Sequence, residues 1–538
     1  MLIARRLQAP QQDGAVLAEP PLSALGETLR ANRQLLAELG TGPFGRPWAD
    51  LRAEARRSAV AAAVDYLAES GEPVPSVDSS SLIVAGHQPE LFHPGVWLKN
   101  FALCRLAQLH GTTPLNLVVD NDTVKPALLR LPALEKEGAR LVTVPFDHWG
   151  DEVPYEERTV RDENLFATLP ERAAEYTANW NLEPLLPEFW SEVCRQARRT
   201  KLLGERFAAA RRTFERRWGC HSLELPVSRL CQTESFAWFA CHVVSNATEF
   251  HRIYNESVHE YRRSYGLRSR NHPVPDLASD GDWLELPFWG WRHEKPRRGR
   301  VMVRPGRDRV ELRVGAESWP GLPAAADPLQ IVHAWRWLEQ RGFKVRSRAL
   351  TNTLYARVFL GDLFTHGIGG GKYDEVTDQI IRRFYGFEPP EFAVLSGTLR
   401  LPLKTFPADV EDRRRIAHAL HDVRCNPQRH LENHACADPA PAELARRKAE
   451  WIEREPEDAR GRRERFHVLK ELTRTLEPYV SEQEARLRRQ LEMTGRELEA
   501  NAVLKRRDYA FCLFPEVPLR RFLTSALPAE ALQSSAGS

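Results

Sequence analysis

The first group of residues with chemical potential is a glycine turn. From Gly86 the chain reads GHQPELFHPG. Its histidines, His87 and His93, are candidate general bases or metal ligands, because an imidazole titrates close to neutral pH. Gly86 is a candidate substrate contact, because a glycine lets a ligand approach the backbone closely. Gln88, in the same turn, is a second candidate substrate contact. The alternative is an ordinary turn in which both histidines are only hydrogen-bonded.

The second group is Asp120-Asn121-Asp122. Two carboxylates two positions apart can bind a divalent cation, or the amine and hydroxyl groups of a substrate. We therefore predict that Asp120 and Asp122 act as catalytic residues together with His87. The alternative is an Asx-type turn that caps the next element.

The third group is a glycine run that reads HGIGGGKYD from His366. A Walker A motif has a glycine five positions before the glycine of its Gly-Lys pair, and a serine or threonine after the lysine. Here a histidine stands five positions before Gly371 and a tyrosine follows Lys372, so the run is not a Walker A motif. Backbone amides of a glycine run at the start of a helix can bind a carboxylate or a phosphate. The alternative interpretation is that the run is a plain linker between core elements. The predicted substrate contacts are His366, Gly367, Gly369, Gly370, Gly371 and Lys372.

Two further clusters are weaker candidates. Histidines and cysteines between residues 418 and 436 have a spacing that matches no standard zinc finger, so a solvated helical hairpin tip is favoured over a zinc site. No metal site is predicted, and no cofactor is assigned. Arginines near Trp289 and Trp291 can stack on the rings and hold an acidic ligand, although solvated surface charge is the commoner explanation. The histidine and cysteine cluster consists of His418, His421, Cys425, His430, His434 and Cys436. The arginine cluster consists of Arg262, Arg263, Arg268, Arg270, Arg297, Arg298 and Arg300.

Short apolar runs predict the elements that position the first two groups. Residues 82–85 and 115–119 are apolar without alternation, as parallel strands buried on both faces are. Residues 96–109 resemble a helix between them, which gives a βαβ unit, and residues 141–146 are a third strand candidate. Ligands of open parallel sheets bind beyond the carboxyl ends of the strands, where the glycine turn and Asp120 lie.

Length and composition restrict the class of function. The chain has 538 residues, 76 Lys and Arg against 73 Asp and Glu, and a net charge of +3. This balance gives no reason to expect nucleic acid or an anionic membrane as the main partner, and no apolar run approaches the length of a membrane-spanning helix. The N-terminus lacks a secretory signal. We therefore expect a soluble cytoplasmic protein that acts on a small molecule and keeps its eight cysteines as free thiols.

The remaining patterns divide the chain into four parts. Residues 1–75 are predicted to be a helical lead-in, and residues 76–408 the core, with helical and β-hairpin insertions at about 160–330. Leucines at helical or heptad spacing predict a helical hairpin or coiled-coil arm over residues 409–508. Residues 509–538 are predicted to return to the core, as a strand or a packed aromatic segment, and to end in a disordered tail.

Three landmarks occur in an order that resembles the BshC family, whose members are assigned as cysteine ligases that add cysteine to glucosaminyl malate in bacillithiol synthesis. The landmarks read GHQPELFHPG, HGIGGGKYDE and DYAFCLFPEVPLRR. The family patterns are GQQ-x-x-L-x-x-GP at the first and FP-x-x-x-LQER at the last, and the middle landmark shares only glycines and a tyrosine. His87 replaces one glutamine, and Pro94-Gly95 reverses the family's GP. The matching residues are Gly86, Gln88, Leu91, Phe514, Pro515, Leu519 and Arg521.

The resemblance implies an α/β fold with a Rossmann-like parallel-sheet core, helical insertions and a C-terminal coiled-coil arm. It implies a ligase or transferase that joins cysteine, or a similar amine or thiol compound, to an acidic or phosphorylated acceptor. The expected partners are this small molecule, with a nucleotide among the candidates, and a second copy of the chain through the arm. Neither nucleic acid nor a membrane is expected as a partner.

The family supplies no catalytic residues, so the expected roles follow from the residues themselves. His87 would transfer a proton, Asp120 and Asp122 would orient an amine or a cation, and Lys372 with the glycine amides would hold an anion. Two alternatives stay open. One is a nucleotidyltransferase-like enzyme with magnesium at Asp122, and the other is a non-catalytic dimeric scaffold organised by the arm.

Overall fold

The computed structural model describes residues 7–150, 152–269, 271–324, 327–431 and 439–525. The strands in chain order are β1 (Val16–Glu19), β2 (Leu82–His87), β3 (Thr113–Val118), β4 (Leu128–Glu135), β5 (Gly138–Pro145), β6 (Leu223–Pro226), β7 (Ser279–Asp280), β8 (Trp283–Arg292), β9 (Lys295–Pro305), β10 (Arg309–Val314), β11 (Glu317–Pro323), β12 (Phe343–Ser347), β13 (Leu363–His366) and β14 (Phe392–Gly397).

The helices in chain order are α1 (Leu25–Ala37), α2 (Trp48–Glu69), α3 (Pro94–His110), α4 (Glu163–Ala167), α5 (Leu169–Thr177), α6 (Leu186–Arg195), α7 (Leu203–Arg217), α8 (Val227–Leu230), α9 (Glu234–Ser245), α10 (Ala247–Ser264), α11 (Pro328–Gln340), α12 (Ala349–Tyr355), α13 (Ile368–Ile380), α14 (Val410–Cys425), α15 (Ala440–Glu453), α16 (Ala459–Leu504) and α17 (Glu516–Ser525). The fold is therefore mixed α/β, with a long helix near the C-terminus.

The central sheet has the strand order β1-β14-β13-β2-β3-β6. Its strands pair in parallel except for β1, which is antiparallel to β14. The prediction that residues 82–85 and 115–119 form neighbouring parallel strands is confirmed, with Val84 opposite Leu115. The apolar runs lack alternation because β2 and β3 are covered on both faces.

The direction of strand addition reverses between β2 and β13. After β2 the chain adds β3 and then β6 on one side, and it later adds β13 and β14 on the other side. The loops that leave the carboxyl ends of β2 and β13 therefore run in opposite directions. Such a reversal opens a crevice at that edge of the sheet.

The prediction of a third core strand at residues 141–146 is wrong. Those residues lie in β5, which pairs with β4 in a separate antiparallel hairpin. Alternate residues of β5 are exposed, which fits a hairpin with one covered face. The third parallel neighbour is instead β6, a strand of only four residues that the sequence pattern did not reveal.

A second, antiparallel sheet is inserted in the second half of the chain. Its strand order is β11-β10-β9-β8-β12, with β7 paired to β8. The alternating runs near residues 276–314 therefore do form β-hairpins, as predicted. This sheet contributes side chains to the crevice of the central sheet.

The N-terminal residues are part of the core and not a helical lead-in alone. Helices α1 and α2 form as predicted, but β1 adds an edge strand to the central sheet. Arg52 of α2 is buried and donates to Asp362 at 3.2 Å, and Asn32 of α1 donates to the Asp362 carbonyl oxygen at 2.8 Å. These buried hydrogen bonds fix both helices beside the start of β13.

The arm is built from one long helix and two shorter ones. Both α14 and α15 pack against α16, so helices of the same chain cover part of its apolar face. Leu472, Leu476 and Val480 are buried in that contact. The predicted helical hairpin is thus present, because an amphipathic helix requires a covering surface.

The aromatic segment after α16 packs in the core, as predicted, but it is not a strand. Tyr509, Phe511 and Phe514 are at most 1% exposed, and residues 511–513 form a short 3-10 turn. The backbone amide of Phe511 donates to the Phe92 carbonyl oxygen at 2.9 Å. The segment therefore joins the end of the arm to the glycine turn.

Cys104 and Cys220 form a disulfide, so the expectation of free thiols fails for this pair. Their Cα atoms are 5.8 Å apart, within the range for a disulfide. Within the described residues, no helix combines the length and the apolar character needed to cross a membrane.

Candidate functional site

A cavity of about 580 Å³ lies where the carboxyl ends of β2, β3, β13 and β14 meet. All three groups of residues from the sequence analysis contribute to it, although they are far apart in the chain. The predicted residues that line it are Gly86, His87, Gln88, His93, Asp122, His366, Gly367, Gly369 and Gly370. The reversal of strand order between β2 and β13 explains why they converge.

Asp120 does not belong to this cavity, which corrects the prediction of a catalytic role beside His87. Val119, Asn121 and Asp122 line the cavity, whereas Asp120, in the turn that follows β3, lines a different pocket. The Asp120 carboxylate accepts hydrogen bonds from the Ser228 amide and hydroxyl. Burial, followed by the nearby Glu156, raises the pKa of Asp120 to about 7.

The glycine run is the first turn of α13 and not a loop. Gly367 is the N-cap, and the helix begins at Ile368. Gly371 faces the sheet, since a Cβ there would lie 2.5 Å from Val394 Cγ2. Gly371 and Lys372 are not among the residues that line the cavity, which corrects the prediction that they contact the ligand.

His87 is the last residue of β2, and it is partly buried at the carboxyl end of that strand. Its Nδ1 lies 3.1 Å from the Gln88 carbonyl oxygen, which can only accept, so Nδ1 carries the proton and Nε2 keeps its lone pair. Burial, and then the positive charge of Lys99, lower the pKa of His87 well below its ordinary value.

Asp122 fixes neighbouring side chains of the cavity wall. Its carboxylate accepts from Gln88 Nε2 at 3.0 Å, from Arg298 Nη1 at 3.0 Å and from the Thr123 amide at 2.9 Å. These three donors occupy both carboxylate oxygens. Asp122 is thus an anchor for Gln88 and Arg298 in the cavity wall, and its catalytic role stays a prediction.

Lys99 is a cavity residue that the sequence analysis missed. It lies on α3 and is 3% exposed, and its Nζ donates to the Gly86 carbonyl oxygen at 3.0 Å. Burial lowers the pKa of Lys99 to about 8. One signal in the sequence could have identified Lys99. It is a lysine between Leu98 and Phe101, in a helix whose other positions are mostly apolar.

Arg507 is the second missed residue, and it enters the cavity from the C-terminal end of the arm. Its Nη2 donates to Ser396 Oγ at 3.3 Å and lies 3.4 Å from His93 Nε2. Burial, and then Arg507, lower the pKa of His93 to about 4. His93 caps α3 before Pro94, a residue whose fixed φ suits the first helical position.

The inserted sheet supplies an aromatic and cationic wall. The guanidinium carbons of Arg298 and Arg348 lie 4.6 and 3.9 Å from the centre of the Trp289 ring. The buried Glu285 carboxylate pairs with Arg348 at 2.7 Å and with Arg300 at 3.3 Å. The predicted arginine and tryptophan cluster is therefore brought to the cavity in part.

Other members of that cluster lie elsewhere. Trp291 donates to Glu157 and contacts Arg346, while Arg262 pairs with Asp276. The side chains of Arg263, Arg268 and Arg297 are exposed, and Arg270 lies outside the described residues.

His366 reaches the cavity from β13 and is held from behind by a carboxylate. Its Nε2 lies 2.9 Å from Asp374 Oδ2, and Asp374 also accepts from Arg357 at 2.7 Å. Burial lowers the pKa of His366, and Asp374 opposes that shift. The contact with Asp374 uses Nε2 and fixes the tautomer of the imidazole. The other ring nitrogen, Nδ1, faces Gly370.

Several polar atoms of the cavity wall have no hydrogen-bond partner among the described residues. Each lies on a side chain that lines the cavity, and each is shielded from solvent. A buried donor or acceptor without a partner costs about 1–3 kcal/mol, so such a group is normally satisfied by water or a ligand. The atoms are His93 Nδ1, Asn121 Oδ1, Arg348 Nη2, Asn352 Oδ1 and Arg507 Nη1.

The charges of the cavity are unbalanced. Arg298 is paired with Asp122, and Arg348 with Glu285. Within the described part of the chain, Lys99 and Arg507 contact only uncharged acceptors and His93, with no carboxylate at ion-pair distance. A cavity with a buried lysine and a half-buried arginine, neither of them in an ion pair among the described residues, and with a helix N-terminus is suited to an anionic ligand.

The histidine and cysteine cluster of the arm gives no support for zinc. His421 lies 3.6 Å from Cys425 Sγ, and His430 pairs with Asp422. His434 and Cys436 lie outside the described residues. Among the residues that are described, no three His, Cys, Asp or Glu side chains are grouped so as to hold a metal ion.

Comparison with known proteins adds no relatives. Neither a scan against protein-family models nor a search of curated proteins gives a match for this chain.

Replacing His93 should make the protein less sensitive to acid. The folded-state pKa of His93 is about 4, against 6.5 as the ordinary value, so the unfolded chain binds the proton more readily between these pH values. The free energy of unfolding therefore falls as the pH drops from 6.5 to 4. We expect His93→Gln to reduce this fall by about 2–3 kcal/mol.

Chemical denaturation at pH 7 and pH 4.5 measures this difference. His148→Gln is the control, because the His148 side chain is largely exposed. Equal loss of stability in wild-type protein and in His93→Gln would show that His93 is protonated in the folded state at pH 4.5.

Proposed function

We propose that the protein is an enzyme with a Rossmann-like core that binds an anionic small molecule in the cavity between β2 and β13. The observation that carries this proposal is that Lys99 and Arg507 line a cavity at the carboxyl ends of parallel strands and have no carboxylate at ion-pair distance among the described residues. The strand order β6-β3-β2-β13-β14, with its reversal after β2, supports the Rossmann-like assignment.

In this proposal the neutral His87 is the proton acceptor. Its Nε2 carries the lone pair, and the low pKa keeps the imidazole unprotonated at neutral pH. Lys99, Arg507 and the first amides of α13 hold the anionic group. Asp122 keeps Gln88 and Arg298 in place.

We further propose that the reaction is of the BshC type, in which cysteine or a similar amine or thiol compound is joined to an acidic acceptor in the cytoplasm. Support comes from the three landmarks of the resemblance, which are neighbours in space. The first two line the cavity, and Phe511 of the third packs against Phe92 of the first with ring centres 5.5 Å apart.

Mass spectrometry tests this activity directly. The protein is incubated with cysteine and glucosaminyl malate, with and without ATP, and the condensation product is expected. Absence of product under both conditions, with folded protein that still binds anions, would remove the BshC assignment but leave the anion site. The nucleotidyltransferase alternative is less well supported, because the Asp122 oxygens that would bind magnesium already accept three hydrogen bonds.

Arg507→Met tests the anion site itself. The variant removes one uncompensated cation, and a hydrogen bond to a charged group contributes about 1.5–3 kcal/mol, so affinity should fall about tenfold or more. Titration calorimetry with inorganic phosphate and with malate measures the loss. Arg506→Met is the matched control, because Arg506 pairs with Asp508 and does not line the cavity. Equal affinities in both variants would contradict the proposed site.

A further inference from the structure

The amine of Lys99 differs from the other charged groups of the cavity. Arg298 and Arg348 each have a carboxylate partner, whereas Lys99 Nζ has only the Gly86 carbonyl oxygen, at 3.0 Å. A single backbone acceptor can be satisfied equally well by a neutral amine. The environment therefore does not require Lys99 to be protonated.

Burial disfavours the charged form of Lys99. His87 approaches from β2, His366 from β13 and His93 from the start of α3, and Arg507 stands behind His93. The carboxylates around these groups are engaged elsewhere: Asp374 with Arg357 and His366, Asp122 with Arg298, and Asp508 with Arg506. A lysine that is desolvated in an apolar environment loses its proton more readily, and the neutral amine is the nucleophilic form.

Other lysines of the described chain have different surroundings. Lys344 is paired with Glu156 and Glu157, and Lys125 is largely exposed beside Glu90. Lys448, in the arm, donates to the Cys425 carbonyl oxygen, far in sequence from the cavity residues. Lys99 combines burial with a place in the wall of a cavity that has room for a ligand.

We propose that Lys99 is a covalent site of this cavity and forms an imine with an anionic aldehyde or ketone. The inference deepens the proposed function and rests on it, since the cavity must admit an anion. Arg507, His93 and the α13 amides hold the anionic group, and the carbonyl carbon then lies within reach of Nζ. The lowered pKa of about 8 leaves part of the amine unprotonated at neutral pH.

The reaction balances without an oxidant or a reductant. The Nζ lone pair forms a bond to the carbonyl carbon, and the electron pair of the C=O double bond moves to the oxygen. The nitrogen releases its two protons and the oxygen takes up two in turn, so that the oxygen leaves as water while the C=N bond of the neutral imine forms. His87 Nε2, which carries a lone pair, can accept and return one of these protons.

Reductive trapping tests the proposal. Full-length protein is incubated with pyridoxal 5′-phosphate, an aldehyde that carries a phosphate, and the imine is fixed with cyanoborohydride and located by peptide mass spectrometry. We expect Lys99 to be modified at pH 7.5 at least tenfold faster than any other lysine, with a rate that reaches half its maximum near pH 8. Lys99→Arg should abolish this modification, and Lys125→Arg should leave the rate unchanged.

Two outcomes separate this inference from the proposed function. If inorganic phosphate binds but trapping occurs only on exposed lysines, Lys99 serves as a fixed charge and the covalent role is overturned. If phosphate does not bind and Lys99 is not trapped, the anion site fails together with the imine. Because the main readout uses the wild-type protein, the result does not depend on whether a variant folds.

Discussion

Phe511→Ala is expected to lower the free energy of unfolding by about 3–5 kcal/mol, the usual cost of removing a fully buried phenylalanine. The Phe511 ring is 1% exposed and packs against Trp97, Phe189 and Phe92, with ring centres 4.3, 4.9 and 5.5 Å away. The substitution leaves a cavity between the C-terminal segment and the glycine turn. Urea denaturation followed by fluorescence measures the change.

Val517→Ala is the control for that experiment, because Val517 lies in the same segment but is 78% exposed. It should change the stability by less than about 0.5 kcal/mol. If Phe511→Ala is as stable as this control, the C-terminal segment does not hold the core together.

Gly369→Leu is expected to weaken anion binding strongly without loss of stability. A Cβ at Gly369 meets no atom within 4 Å, so the new side chain enters the cavity directly in front of the α13 amides. We expect the affinity for inorganic phosphate to fall about a hundredfold, which corresponds to about 3 kcal/mol. Calorimetric titration and a melting curve report the two effects separately.

Neighbouring variants test whether the geometry is correct. Gly369→Ala is short and should stabilise the first turn of α13 by about 0.5–1 kcal/mol, since glycine is a poor helix former. Gly370→Ala should instead disturb the site, because its Cβ would lie 2.5 Å from His366 Nδ1. Unchanged phosphate affinity in Gly369→Leu would place the anion elsewhere.

The sequence predicted the central part of the sheet because its strands are long enough and apolar on both faces. β2 and β3 show unbroken apolar runs, and their parallel pairing follows from the intervening helix α3. The short strand β6 gave no such signal, since LELP precedes α8 with no turn residue between them. β5 was misassigned because an apolar run alone does not reveal which neighbour it pairs with.

The part of the site that is formed by residues at the ends of strands could be predicted from the sequence. His87, Gln88 and the first residues of α13 converge because β2 and β13 are neighbours. Asp120 lies outside the cavity although its neighbours Val119 and Asn121 line it, and the conformation of the turn after β3, which the sequence does not reveal, decides this.

Contacts between distant parts of the chain could not be predicted. Arg507 reaches Ser396 across 111 positions and His93 across 414 positions. The inserted sheet places Trp289 and Arg348 beside the glycine turn through packing, and no local pattern encodes that placement. In the sequence, Lys99 is recognisable only as a charged residue within an apolar helix.

The most direct test of the anion site is the set of compounds that remain bound to the purified protein. Wild-type protein and Gly369→Leu are purified in parallel, desalted and denatured, and the released molecules are identified by mass spectrometry. We predict that the wild-type protein retains an anionic compound that Gly369→Leu lacks. Equal retention by both proteins, or wild-type protein that retains no anion and does not bind phosphate, would contradict the assignment of this cavity as the ligand site.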